Sequence, residues 1–207
     1  MLKANIAVLV SGGGTNLQKL LEAEAAGDLP HGRIALVVSD RAGAYALKRA
    51  AAFQTPTATV EYGDYALPQL FEAAVQRLLE AHRIDMIVLA GFLRILSAGF
   101  VRAWPERIIN VHPSLIPSFC GAGFYGLKVH QAALDYGVKV SGATVHLVNE
   151  IPDGGRILLQ KAVEVQDGDT PQSLQQRIME QAEWQLLPRA AELLAAQITN
   201  NGGLDHD

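Results

Sequence analysis

The sequence predicts an α/β chain built on an open, twisted, mostly parallel sheet, with helices on both faces and an antiparallel strand pair towards its end. Three observations carry that prediction. Short apolar, β-branched runs alternate with stretches of helical period as far as residue 112; the first run empties into three adjacent glycines; and two long strand-like segments, residues 138–148 and 156–165, flank one Gly-rich turn. With 207 residues, 49% of them hydrophobic, the chain can bury a substantial core. Its net charge of -4 argues against a general binder of nucleic acid or of anionic membranes, so phosphate must be held locally, if at all. The expected partners are small molecules, with no nucleic acid and no membrane. Cys120 is the single cysteine, which excludes an intrachain disulfide and a zinc cluster of Cys ligands and points to a reducing compartment. No basic segment with a long apolar stretch opens the chain and no run nears membrane-spanning length, so a cytoplasmic location is expected.

Taken in order, the strand-like residues 3–10 run into Ser11-Gly12-Gly13-Gly14-Thr15-Asn16, followed by the helical set Leu17, Leu20, Leu21 and a stop at Gly27. Glycines let the backbone turn tightly and approach a ligand, and the free N–H groups of a helix start offer donors to an anion. This is not a Walker A loop, because no Gly-Lys-Ser/Thr follows. A Rossmann-like dinucleotide loop is a rival reading: Gly12 and Gly14 open the motif and Asp40 closes the next apolar strand, residues 34–39, but Leu17 stands in place of the third glycine. Residues 42–54 and 67–82 read as helices, the second with Pro68 in its first turn, and residues 55–60 as a short strand between them. The run Ile84-Asp85-Met86-Ile87-Val88-Leu89-Ala90 is the strongest buried strand, and it empties into Gly91-Phe92-Leu93-Arg94-Ile95-Leu96.

The next strand carries chemistry at its end. Arg107-Ile108-Ile109-Asn110-Val111-His112 is halted by Pro113, which has no N–H for a ladder. Alternate side chains of a strand share a face, so Asn110 and His112 point the same way: an amide donor beside a titratable imidazole. A strand end whose polar residues merely cap the sheet would look the same. Parallel strands gather ligands at their carboxyl ends, and there three loops converge: residues 12–16, 91–96 and the segment after Asn110. Beyond it, residues 118–126 form a glycine and aromatic loop, and a helix over residues 127–136 stops at Gly137. His146 reads as a satisfied, half-buried histidine rather than a catalyst. The last helix starts with Thr170 as N-cap and Pro171 at its first position; Pro188 is expected to bend or interrupt it, and residues 200–207 to be mobile.

In combination and order, Val10-Ser11-Gly12-Gly13-Gly14-Thr15-Asn16, Leu89-Ala90-Gly91-Phe92-Leu93-Arg94-Ile95-Leu96, Asn110-Val111-His112-Pro113-Ser114-Leu115 and Asp153-Gly154-Gly155 before Ile157-Leu158-Leu159-Gln160 give the chain a close resemblance to the phosphoribosylglycinamide formyltransferases, the folate-dependent transformylases of purine synthesis. The resemblance covers almost the whole chain. It implies the formyltransferase fold in one domain, with a mononucleotide-binding half over residues 1–104, a folate-binding half over residues 105–199 and the tail beyond. It implies that 10-formyltetrahydrofolate serves as formyl donor, without a metal, and that the amino group of glycinamide ribonucleotide receives the formyl group. Asn110, His112 and Asp153 match the catalytic residues. Gly13, Gly14, Thr15 and Asn16 match the phosphate cradle, with Gly12 shaping the loop, and Glu183 matches a carboxylate that holds the nucleotide's polar end. Leu93, Arg94, Ile95 and Leu96 match one wall of the pterin pocket; Asn149, Glu150, Ile151, Pro152 and Asp153 match the other, with Asn110 between them. A carboxylate at Asp153 is expected to favour the His112 cation and raise its pKa, on the order of 1 unit or more. The chain is expected to act as a monomer or a homodimer.

Two departures from the family pattern stand out. Leu67-Pro68-Gln69 replaces a Ser-Arg-Glu run in which many members carry a folate-contacting arginine, and the Glu183 region holds one extra residue, Ala182. Two other readings remain in view. A different formyl-folate enzyme would bring more chain: an RNA-binding domain and basic surface for a methionyl-tRNA formyltransferase, a regulatory domain for a formyl-folate hydrolase. A non-catalytic nucleotide-binding module would use the glycine loop and Asp40, and would leave Asn110, His112 and Asp153 without a task.

Overall fold

The computed structural model describes residues 2–202. Among the described residues, seven strands form one sheet: β1 (Ala4–Val10), β2 (Gly32–Ser39), β3 (Thr57–Thr59), β4 (Met86–Leu89), β5 (Ile108–His112), β6 (Val140–Leu147) and β7 (Ile157–Glu164). Their order is β3-β2-β1-β4-β5-β6-β7. The first five run parallel, and β6 is antiparallel to both β5 and β7, as the two long C-terminal segments predict. The helices are α1 (Thr15–Ala26), α2 (Tyr45–Ala52), α3 (Pro68–Ala81), α4 (Ala98–Ala103), α5 (Leu127–Tyr136), α6 (Pro171–Ile178) and α7 (Trp184–Asn200).

Side-chain alternation divides the core in two. Ile6, Val8 and Val10 of β1 join α1, α2, α6 and α7 on one face of the sheet, whereas Ala7 and Leu9 join Phe71, Val75 and Leu79 of α3 and Trp104 on the other. Every residue of β1 is buried, because both faces are covered. Strand order reverses between β1 and β4, which leaves a crevice beyond their carboxyl ends. No helix among the described residues is long and apolar enough to cross a membrane.

Three expectations need correction. Helix α2 starts at Tyr45, since residues 41–44 form a turn closed by the Ala44 N–H on the Arg41 carbonyl. Helix α4 went unread because six residues are too few to display a 3.6 period, although Ser97 caps it through the Phe100 N–H. Thr170 caps α6 and Pro171 stands in its first turn as read, but α7 runs straight through Pro188. The irregularity lies one turn earlier, where Met179–Glu183 form a π-turn between α6 and α7. Asn200 ends α7, and residues 203–207 of the expected mobile tail lie outside the described residues.

Candidate active site

One cavity of about 510 Å³ fills the crevice at the strand ends. Its lining includes all the residues singled out above: 13–16, 93–96, Asn110, His112, 149–153 and Glu183. The three loops that the sequence places at one sheet edge do meet there.

At one end lies the β1–α1 loop. Gly14 adopts φ +73°, and a Cβ there would stand 2.6 Å from the Ala46 Cβ, so glycine is required both by conformation and by space. Behind the loop, the Asn16 Nδ2 donates to Glu183 Oε2 at 2.6 Å, while Asn16 Oδ1 is buried without a partner among the described residues. Burial pushes the Glu183 carboxyl up to about 7, the hydrogen bond from Asn16 opposing it only in part. The π-turn explains how Glu183 arrives there. An i→i+5 turn holds one residue more than a regular α-turn, so it changes by roughly 100° the direction in which the residues after it point.

At the other end, register assembles the polar cluster. Asn110 pairs with His146 and His112 with Thr144 across the β5/β6 ladder. Asp153 reaches in from the β6–β7 turn with φ +55°, a left-handed conformation rare for a residue bearing a side chain. Its Oδ2 lies 3.5 Å from His112 Nδ1 and accepts the Gly121 N–H at 2.8 Å; its Oδ1 lies 3.5 Å from His146 Nε2 and from Asn110 Nδ2. Burial pushes the Asp153 carboxyl up, but His146, the His112 ring and the Gly121 N–H outweigh that and hold it below the usual range.

His112 overturns one expectation. It is 4% exposed, and burial lowers its pKa by more than Asp153 and the Phe119 carbonyl raise it, with His146 adding to the fall. Burial thus favours the neutral ring, and its Nε2 donates to the Phe119 carbonyl at 2.9 Å. A neighbouring carboxylate alone would raise the pKa; desolvation of the ring reverses the sign. His146 is the residue that sequence reasoning misses: it is buried rather than half-buried, its Nδ1 donates to the Leu147 carbonyl at 2.8 Å, and its Nε2 stands 3.3 Å from Asn110 Nδ2. Its position directly opposite Asn110 was the available signal, but it needed the strand register.

The wall over residues 91–97 is anchored from three sides. Ser11 Oγ accepts the Leu93 N–H at 2.9 Å, Glu72 Oε1 accepts the Ser97 N–H at 2.6 Å, and Arg94 Nε donates to Asp40 Oδ2 at 2.6 Å while the guanidinium lies over the Tyr62 ring. Asp40 is buried, its Oδ2 is held by Arg94, and it does not line the cavity, which takes away the main support for a dinucleotide site there. Leu93, Ile95 and Ile151 stay exposed at the cavity mouth. Leu67, Pro68 and Gln69 do not line it.

The formyl transferase family model matches residues 4–191. The chain is 39% identical over 183 residues to the phosphoribosylglycinamide formyltransferase of Haemophilus influenzae, covering 88% of this chain and 83% of that one. It belongs to the phosphoribosylglycinamide formyltransferase family. The glycinamide ribonucleotide transformylase 1 structure from Symbiobacterium toebii superimposes with a TM-score of 0.88 at 40% identity, covering 94% of this chain and 89% of that one. The trifunctional purine biosynthetic protein adenosine-3 of Gallus gallus is 42% identical over 194 residues; the match takes in 94% of this chain, which spans only 19% of that longer protein. The formyltransferase fold expected from the motifs is therefore the one observed.

Proposed function

We propose that this formyltransferase moves the formyl group of 10-formyltetrahydrofolate to the amino group of glycinamide ribonucleotide, giving formylglycinamide ribonucleotide and tetrahydrofolate in purine biosynthesis. The observation that carries this reading is the meeting of Asn110, His112 and Asp153 in one cavity that ends in a glycine loop at a helix start. The phosphate suits the N–H groups of residues 13–16, and the ribose suits Glu183 and the unpartnered Asn16 Oδ1. The apolar mouth at Leu93, Ile95 and Ile151, with backbone groups of both facing loops, suits a flat heteroaromatic ring.

In this reading the nucleotide's amine attacks the formyl carbon and negative charge grows on the formyl oxygen. Asn110 Nδ2 donates to that oxygen, and the His112 Nε2–H turns to it from the Phe119 carbonyl; one such donor is typically worth roughly 2.7–4 kcal/mol. The growing charge also favours a proton on His112 Nδ1, the nitrogen that faces Asp153. The amine gives up one proton and the folate nitrogen gains one as the old C–N bond breaks, so ionised Asp153, through His112 or a water, need only carry a proton across the site. The experiment is turnover: purified protein with glycinamide ribonucleotide and a 10-formylfolate analogue should release deformylated folate, seen by absorbance. Folded protein that binds both ligands without turnover would overturn the reading.

A further inference from the structure

We propose that Arg49 is a positioning residue for the nucleotide phosphate, acting through the peptide groups of the glycine loop without touching the ligand. The inference rests on the reading of residues 13–16 as the phosphate cradle.

Two consecutive carbonyls of that loop are tied back to α2. The Ala46 N–H donates to the Gly12 carbonyl at 3.0 Å, and Arg49 Nε donates to the Gly13 carbonyl at 2.8 Å. Among the described residues the one cis peptide is Ile116-Pro117, so both loop peptides are trans. In a trans peptide the C=O and the following N–H point in opposite directions. Fixing the Gly12 and Gly13 oxygens towards α2 therefore turns the Gly13 and Gly14 N–H groups away from it, and no acceptor among the described residues pairs with either. Both glycines line the cavity.

Two further features make Arg49 more than an accidental neighbour. Its Nη1 donates to Gln18 Oε1 at 3.2 Å, so one guanidinium links α2, the loop and the first turns of α1. Its ring contact with Tyr45, 5.1 Å from the centroid, steadies the side chain along its own helix. A cation bound to a peptide oxygen also polarises that peptide, which makes the Gly14 N–H a stronger donor to an anion. In the sequence alone, an arginine in a surface helix reads as a solvated charge.

The test uses the whole chain and three substitutions. Arg49→Ala removes donor and charge, Arg49→Gln keeps a neutral donor, and Arg49→Lys keeps the charge on a single donor nitrogen. Arg49→Ala should raise both the KM for glycinamide ribonucleotide and the inhibition constant of inorganic phosphate about tenfold, with kcat and the KM for the formyl-folate within about twofold of the unaltered protein. Arg49→Lys should recover most of the loss and Arg49→Gln less. Unchanged nucleotide KM and phosphate inhibition in Arg49→Ala would overturn the proposal. So would a loss spread evenly over all constants, with a lowered melting temperature and no recovery in Arg49→Lys. If phosphate does not compete with the nucleotide on the unaltered protein, the phosphate reading of the loop itself falls, and this inference with it.

Discussion

The two ends of the cavity are built from different material. At the β1–α1 end the groups proposed to bind are peptide N–H groups, held by glycines and by α2; at the β5–β6 end the groups proposed to react are side chains from two strands and a turn. The first end needs only a backbone conformation, which a few adjacent residues can specify. The second needs Asn110, His112, His146 and Asp153 to be delivered by separate elements, and their charge states depend on everything packed around them. Binding of a fixed anion suits the first design, and proton movement at a reacting centre suits the second.

The largest expected effect breaks the side-chain end alone. His112→Ala should lower kcat by roughly 10²–10⁴-fold while nucleotide affinity stays close to that of the unaltered protein, measured by steady-state kinetics beside equilibrium binding. Equal losses in both would mean that the two ends do not divide the labour.

Next comes Glu183, a side chain lodged at the backbone end. With its carboxyl raised from 4.5 to about 7 in the folded chain, it contributes stability that is fully present below pH 4.5 and is lost as pH rises through about 7. Glu183→Gln should therefore melt higher than the unaltered protein at pH 8, by up to about 3 kcal/mol of stability, and the difference should close towards pH 5. Thermal unfolding across that range checks the sign, and a constant difference would show that burial does not hold the proton there.

The smallest effect sharpens the backbone end. Gly14→Ala forces a methyl against Ala46 at a positive φ, so it should cost roughly 1–3 kcal/mol of stability and weaken nucleotide binding while leaving formyl-folate binding unchanged. Calorimetric titration with each ligand would separate the two.

Much of this was legible in the chain. Alternating apolar runs and helical periods gave the sheet, the parity of Asn110 and His112 gave one shared face, and Thr170-Pro171 gave the start of α6. Short α4 escaped because it is under two turns long, and His146 because a strand's own residues do not say which of them faces Asn110. For a related reason the direction of the His112 shift is not legible in the chain: Asp153 is there to raise the pKa, but the burial that outweighs it is not.

By itself, then, the sequence determined what local sterics decide: where strands stop, where the backbone must turn at Gly14, and which residues share a face. Only the tertiary structure decided what distant packing controls. It set His146 opposite Asn110, favoured the neutral form of His112, formed the π-turn that ends at Glu183 and tied Arg49 to the Gly13 carbonyl. Backbone preference is written within a few neighbouring residues, whereas register and desolvation belong to elements far apart along the chain.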